Sequence, residues 1–399
     1  MMRVMLAWEL GANLGHVAPL RMVAQHLQLR GHTCTFAARD LDSAEEFLEP
    51  ALGPVMQAPI RLSNGRNPVR TQVSYTSLLN NTGFDHIVGL AGRLRAWRQL
   101  LQDTGAGLLI ADHSPTALLA ARTLGLSAVH LGTGFTVPPL TQPFRVFHPG
   151  LQVPPKILEH NERAVLSNAN AALDRLQLAP LAALQDMFSS ALSFITSFSE
   201  LDHYDGTRAE PYIGLPDCAH GIDPPWPAGD GRKVFAYLRP AKNLELTLTA
   251  LSRLPARVLV RIGGINPARL KSFERPGMLI LEQPIHMRRA AESCDAFVNY
   301  ASHGVTAEML LAGKPGVLLP DTVERSLVAR RAVQLGACLT PPAEGDFNLS
   351  SALLRTLEDS TLANAAQTFA RRYHHIDRAQ ILPRMTDQAL EFSSRPRGA

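Results

Sequence analysis

Two residues far apart in the chain have the types that a proton transfer needs. His16 sits in WELGANLGHVAPL (8–20), where a glycine-asparagine loop follows a short apolar run and leads into a helix. Asp112 closes the apolar run GLLIAD (107–112), ahead of a helix that starts near Ser114-Pro115. A carboxylate on one imidazole nitrogen orients the ring and raises its basicity, leaving the other nitrogen to take a proton from a hydroxyl. Each residue also has a plainer role: His16 caps or packs the turn, and Asp112 forms an N-cap or Asx turn. Gly11 and Gly15 let the loop turn sharply and expose its N–H groups at a helix start, which suits a phosphate. The spacing is not the dinucleotide fingerprint, however, because the third glycine is missing and Ala18-Pro19 stands instead. No Gly-Lys-Ser/Thr ends the loop, so a P-loop is excluded. Gly11, Asn13 and Gly15 are better read as a turn that gives clearance and a fixed place for His16.

A second cluster lies in NYASHGVTAEMLLAGKPGVLLP (299–320). It reads as a strand, a small-residue turn and a helix entered near Gly304-Val305-Thr306. The free N–H groups and positive dipole of a helix start suit a diphosphate. Glu308, one turn in, can accept hydrogen bonds from a ribose diol or simply complement the helix dipole.

These residues need parallel sheets to place them. RVMLAW (3–8), CTFAAR (34–39), GLLIAD, SAVHLG (127–132) and SFITSF (193–198) read as buried strands alternating with helices. The first helix carries Leu20, Val23, Ala24 and Leu27 on one face and stops at Gly31. Such alternation implies right-handed crossovers and a sheet covered on both faces. PDCAHGIDPPWPAGDG (216–231) is too rich in proline and glycine for a helix or inner strand and is placed as a linker. A second parallel series follows: VFAYL (234–238), RVLVRIG (257–263), GMLIL (277–281), AFVNY (296–300) and GVLLP (316–320). The expected domains are 1–215 and 232–380, with a helix end and tail at 381–399. The region from about 60 to 100 reads as an irregular insertion over the first domain. The proline-rich TGFTVPPLTQPFRVF (133–147) is either an ordinary loop or the wall of a pocket.

Composition narrows the function classes. At 399 residues the chain is too long for one ordinary core. With 46% apolar and 19% charged residues, disorder is excluded as the main state. The net charge is +4, but arginine supplies most of it; lysine occurs only at 156, 233, 242, 271 and 314. No long basic run is present, so nucleic acid is not an expected partner. The small basic excess suits an anionic substrate or peripheral contact with an acidic membrane face. Cys34, Cys218, Cys294 and Cys338 make no paired spacing, which argues against a metal site or disulfide framework and fits a reducing cytoplasm. MMRVMLAWEL is too short for a signal h-region, and no apolar run approaches a membrane span.

Three ordered segments carry a family likeness. GHVAPLRMVAQHLQLRGH resembles the N-terminal signature of family-one (UDP-glycosyltransferase-like) glycosyltransferases. IADHSPTALLAARTLGLSAVHLG resembles a later segment in which an Asp ends a strand. SHGVTAEMLLAGKPGVLLP with VERSLVARRAVQLGA resembles the donor-sugar signature. The likeness spans most of the chain and is weaker over 40–100 and 140–230. It implies a GT-B fold: α/β, with two Rossmann-like parallel-sheet domains facing a cleft, acceptor mainly on the first and nucleotide-sugar mainly on the second.

It further implies an inverting hexosyltransferase without an obligatory metal or other cofactor. The co-substrate would be UDP- or dTDP-linked, and the acceptor a small-molecule or lipid-linked hydroxyl. His16 falls on the general base and Asp112 on its supporting carboxylate. His303, Gly304, Val305, Thr306 and Glu308 fall on the donor-binding segment. Three departures stand out. Ungapped spacing from Glu308 puts Tyr300 at the family's diphosphate-contacting histidine, whereas a loop shorter by three residues keeps His303 there, and the shorter loop is preferred. Glu324-Arg325 replaces the Asp-Gln pair that contacts sugar hydroxyls, so a sugar other than glucose, or a charged one, is conceivable. Gln283 stands near the usual aromatic platform for the base. A degenerate GT-B binding protein and a sugar-nucleotide 2-epimerase are the alternatives.

Overall fold

The computed structural model describes residues 1–11, 15–62, 68–148, 150–206, 208–217, 220–342 and 347–395. The chain forms two compact units. The first comprises Met1–Phe198, His203–Cys218 and Arg378–Ala399, the second Ser199–Asp202 and Ala219–Asp377.

The first unit is built on six parallel strands: β1 (Arg3–Trp8), β2 (Thr33–Ala38), β3 (Val55–Gln57), β4 (Leu108–Asp112), β5 (Ser127–Gly132) and β6 (Leu192–Ile195). Their order is β3-β2-β1-β4-β5-β6. Because the chain moves outward one way from β1 and then restarts beside it at β4, the order reverses between these two strands. Open α/β sheets bind ligands outside the carboxyl ends of strands at such a switch point. Every residue of β4 and β5 is buried, as helices on both faces require. The helix Val17–Leu29 packs Leu20, Val23, Ala24 and Leu27 onto the sheet. The C-terminal helix Ile381–Ser394 adds Leu382, Met385 and Ala389 to the same core. Arg30 donates to Asp387 of that helix at 2.7 Å.

The second unit repeats the plan with β7 (Lys233–Leu238), β8 (Arg257–Ile262), β9 (Met278–Leu281), β10 (Ala296–Asn299), β11 (Gly316–Leu318) and β12 (Cys338–Leu339). Their order is β12-β11-β10-β7-β8-β9, all parallel, with the reversal between β7 and β10.

The region from 60 to 100 differs from the irregular insertion expected. It contains the helix Tyr75–Leu79, a π-helical turn at Asn80–Phe84 and the 17-residue helix Ile87–Asp103. Gly89 and Gly92 weaken the helix signal, yet Leu90, Leu94, Trp97 and Leu101 recur at helical spacing and are buried. Packing of that stripe overrides the local propensity. Among the described residues, no helix is long and apolar enough to cross a membrane.

Candidate active site

Strand register explains how residues 96 positions apart meet. Trp8 and Asp112 are paired across β1 and β4, so the loop leaving β1 and the turn leaving β4 emerge side by side. His16 stands at the N-cap position of Val17–Leu29, but its side chain makes no capping bond. Instead, Nδ1 lies 2.9 Å from Asp112 Oδ1. The Asp112 side chain is 6% exposed and that of His16 20%. A carboxylate accepts only, so Nδ1 carries the proton in this contact. The Trp8 ring stacks on the imidazole at 6.0 Å and 20°. Trp8 Nε1 is itself fixed by donating to the Leu10 carbonyl at 2.8 Å.

The loop glycines divide in their roles. Gly11 has φ +86°, and a Cβ there would run into the His16 ring, so the close approach requires glycine. Gly15 has open space around it and no left-handed φ; its conformation places no such demand. Asn13 lies outside the described residues.

Asp112 does not cap the helix Pro115–Thr123, and neither does the Ser114 side chain, which donates to the Asp112 carbonyl at 2.9 Å. His113 follows at φ +46°, a left-handed conformation unusual for a side-chain-bearing residue. The Leu10 N–H donates to its carbonyl at 3.0 Å. Its buried ring lies 5.7 Å from that of His16, and burial holds its pKa far below the ordinary histidine value. Glu9 and His113 were not singled out from the sequence. The signal available was their position beside the strand ends that carry the pair.

In the second unit, Ala301 (φ +57°) turns the chain from β10 into the helix His303–Leu311. His303 is buried, and desolvation lowers its pKa to about 4, partly offset by the Asp202 carboxylate. Its ring is therefore neutral near pH 7. Gly304 is exposed, with open space where a Cβ would stand, and Val305 is half-buried. Thr306 turns inward, its hydroxyl donating to Asn299 Oδ1 at 3.3 Å, and Glu308 is 7% exposed. Glu324 is half-buried and Gln283 exposed.

Arg325 does not project freely. Its Nη1 donates to Asp321 Oδ1 at 2.7 Å, and Arg239 also pairs with Asp321. The Arg239 guanidinium lies 5.8 Å from the centre of the Tyr300 ring. Arg239 follows β7 and Tyr300 follows β10, so this cluster stands at the second sheet's own switch point. Neither Arg239 nor Asp321 was expected there. Among the described residues, no group of three or more His, Cys, Asp and Glu side chains can hold a metal. Cys34, Cys294 and Cys338 are buried, with burial pushing their thiols up to about 12.

Two such sheets with their helices define the GT-B fold. Among solved structures, the calicheamicin glycosyltransferase CalG4 matches 100% of this chain with 99% of its own, at TM-score 0.70 and 18% identity. The spinosyn rhamnosyltransferase SpnG matches 97% of this chain with 100% of its own, at TM-score 0.66 and 16% identity. The glycosyltransferase VinC, in complex with dTDP, matches 99% with 100% of its own, at TM-score 0.67 and 14% identity. SpnG also has structures with spinosyn aglycone and with thymidine diphosphate. No protein-family model and no curated protein matches the chain.

Proposed function

We propose that this protein is an inverting glycosyltransferase that moves a sugar from a nucleotide donor to a hydroxyl of a small-molecule acceptor. The observation that carries the reading is the 2.9 Å contact between His16 Nδ1 and Asp112 Oδ1 at the switch point of the first sheet. His16 Nε2 takes the acceptor's hydroxyl proton as the oxygen attacks C1. The bond from C1 to the diphosphate oxygen breaks, and its electron pair leaves with the nucleotide. Attack from the face opposite the leaving group inverts the anomeric carbon. Asp112 holds the tautomer and stabilises the imidazolium as it forms.

The first unit would hold the acceptor and the second the donor. His303, Gly304 and Val305 at the helix start face the diphosphate, whose charge the helix-start N–H groups and positive dipole favour. Glu308, Glu324, Arg325 and Gln283 complete the donor set, and Thr306 supports it through Asn299. No metal is required in this reading, because the helix start and neutral donors stabilise the leaving group. The thymidine diphosphate complex of SpnG and the dTDP complex of VinC support a dTDP-linked donor over a UDP-linked one.

The test is a panel of dTDP- and UDP-hexoses offered with hydroxylated aromatic and macrocyclic acceptors. Products are read by mass and by the anomeric coupling constant. An α-linked donor is expected to give a β-glycoside; a retained configuration would refute the mechanism. Binding of donor without transfer would instead favour a degenerate GT-B protein, and a new epimer from donor alone an epimerase.

A further inference from the structure

The helix Pro115–Thr123 starts directly behind Asp112, yet neither local side chain caps it. Pro115 has no N–H to satisfy, so Thr116 and Ala117 carry the orphan donors of the first turn. The Thr116 donor is met by the residue that follows another strand, β1. The Thr116 N–H donates to Glu9 Oε2 at 2.9 Å, and the Thr116 hydroxyl and Ala117 N–H lie near the same carboxyl group and favour its charged form. Glu9 is 2% exposed and immediately follows β1, in the segment that continues to Gly11 and His16. The Arg39 guanidinium donates to the Glu9 carbonyl at 3.2 Å, fixing its main chain. Arg93, from the helix Ile87–Asp103, and the buried Tyr75 lie close enough to interact with its charge. Together with the bond from Leu10 N–H to the His113 carbonyl, these contacts fasten the turn bearing Asp112 to the loop bearing His16.

We propose that Glu9 is a positioning residue: its side chain caps the helix behind Asp112 and thereby sets the register of Asp112 against His16. The inference rests on the proposed general-base reading only for its effect on rate; its effect on geometry is separate. What the role needs is an acceptor oxygen at the end of a glutamate-length arm. Burial raises the Glu9 pKa to about 7, so that arm works without a fixed charge near neutrality.

Two conservative variants separate length from charge. Glu9→Gln keeps the length and loses the charge; Glu9→Asp keeps the charge and falls short by one methylene. The readouts are the low-field Nδ1–H proton resonance of His16, assigned by its loss in His16→Ala, and kcat with donor KM for transfer. Glu9→Asp is expected to lose the resonance and at least fivefold in kcat, with donor KM within twofold of wild type. Glu9→Gln is expected to keep the resonance and at least half of kcat. A Glu9→Asp protein that retains the resonance, or a Glu9→Gln protein more impaired than Glu9→Asp, overturns the inference. If the wild-type chain transfers no sugar, that failure belongs to the proposed function, and the resonance alone decides the role of Glu9.

Discussion

Replacing Asp112 by Asn tests the pair while leaving its shape almost unchanged. Asp112 is 4% exposed, and its Oδ1 lies 2.9 Å from His16 Nδ1, so the interaction is a charge-assisted hydrogen bond shielded from water. Such a bond contributes about 1.5–3 kcal/mol when one partner is charged. In the proposed mechanism His16 gains a positive charge as it takes the acceptor proton, so the bond to the carboxylate strengthens in the transition state, here by an amount taken to be of the same size. At about 1.4 kcal/mol per decade, kcat should fall by about 10- to 150-fold. An amide can also donate to Nδ1, which would move the proton to Nε2 and abolish its role as base, adding to the loss. The assay is single-turnover transfer at saturating donor, with nucleotide affinity measured in parallel by calorimetry. Asp112 lies in the first unit, so nucleotide affinity should stay within twofold of wild type. A variant that retains kcat within threefold, or loses affinity and rate together, would refute the assignment.

Three other outcomes follow from particular contacts. Gly11→Ala places a Cβ against the His16 ring at φ +86°; it should destabilise the first unit by about 1–3 kcal/mol in urea unfolding and lower transfer at least tenfold. The raised pKa of Glu9, about 7 against 4.5 for the free group, means the folded chain holds a proton that the unfolded chain releases between those values. That proton stabilises the fold on the acid side and its contribution is lost as pH rises through 7. Buried His113 and His130, whose pKa values are lowered, act oppositely and lose stability as pH falls below 6.5. Glu9→Gln should therefore steepen the loss of stability from pH 6.5 to 5 by about one proton, or about 1.4 kcal/mol per pH unit, in denaturant titrations. Arg325→Gln leaves Asp321 paired with Arg239 and should change stability by less than about 1 kcal/mol. It should shift affinity for a dTDP-sugar at least threefold with dTDP itself unaffected, as paired titrations would show.

How much of this was legible in the sequence depended on how each residue is held in place. Ten strands announce themselves as runs of branched and aliphatic residues because both faces of each sheet are covered. The edge strands β3 and β12 do not, since Val55–Gln57 and Cys338–Leu339 are too short to carry a pattern. The helix Ile87–Asp103 was hidden by its glycines, although the spacing of Leu90, Leu94, Trp97 and Leu101 was there to be counted. His16 and Asp112 could be paired in advance because each closes or follows a strand, and sheet order then brings neighbouring strand ends together. Glu9 could not, because its partner is a main-chain N–H that any residue would supply. The inward turn of Thr306 toward Asn299 is a packing outcome, and helix periodicity alone leaves it undecided.

The central claim is that His16 removes the acceptor's proton during sugar transfer, and His16→Ala tests it most directly. The measurement is the single-turnover rate of glycoside formation, with nucleotide affinity determined on the same preparation. The account predicts a fall of about two to four decades in rate with nucleotide affinity within twofold of wild type. Transfer at the wild-type rate by the folded His16→Ala protein would contradict it.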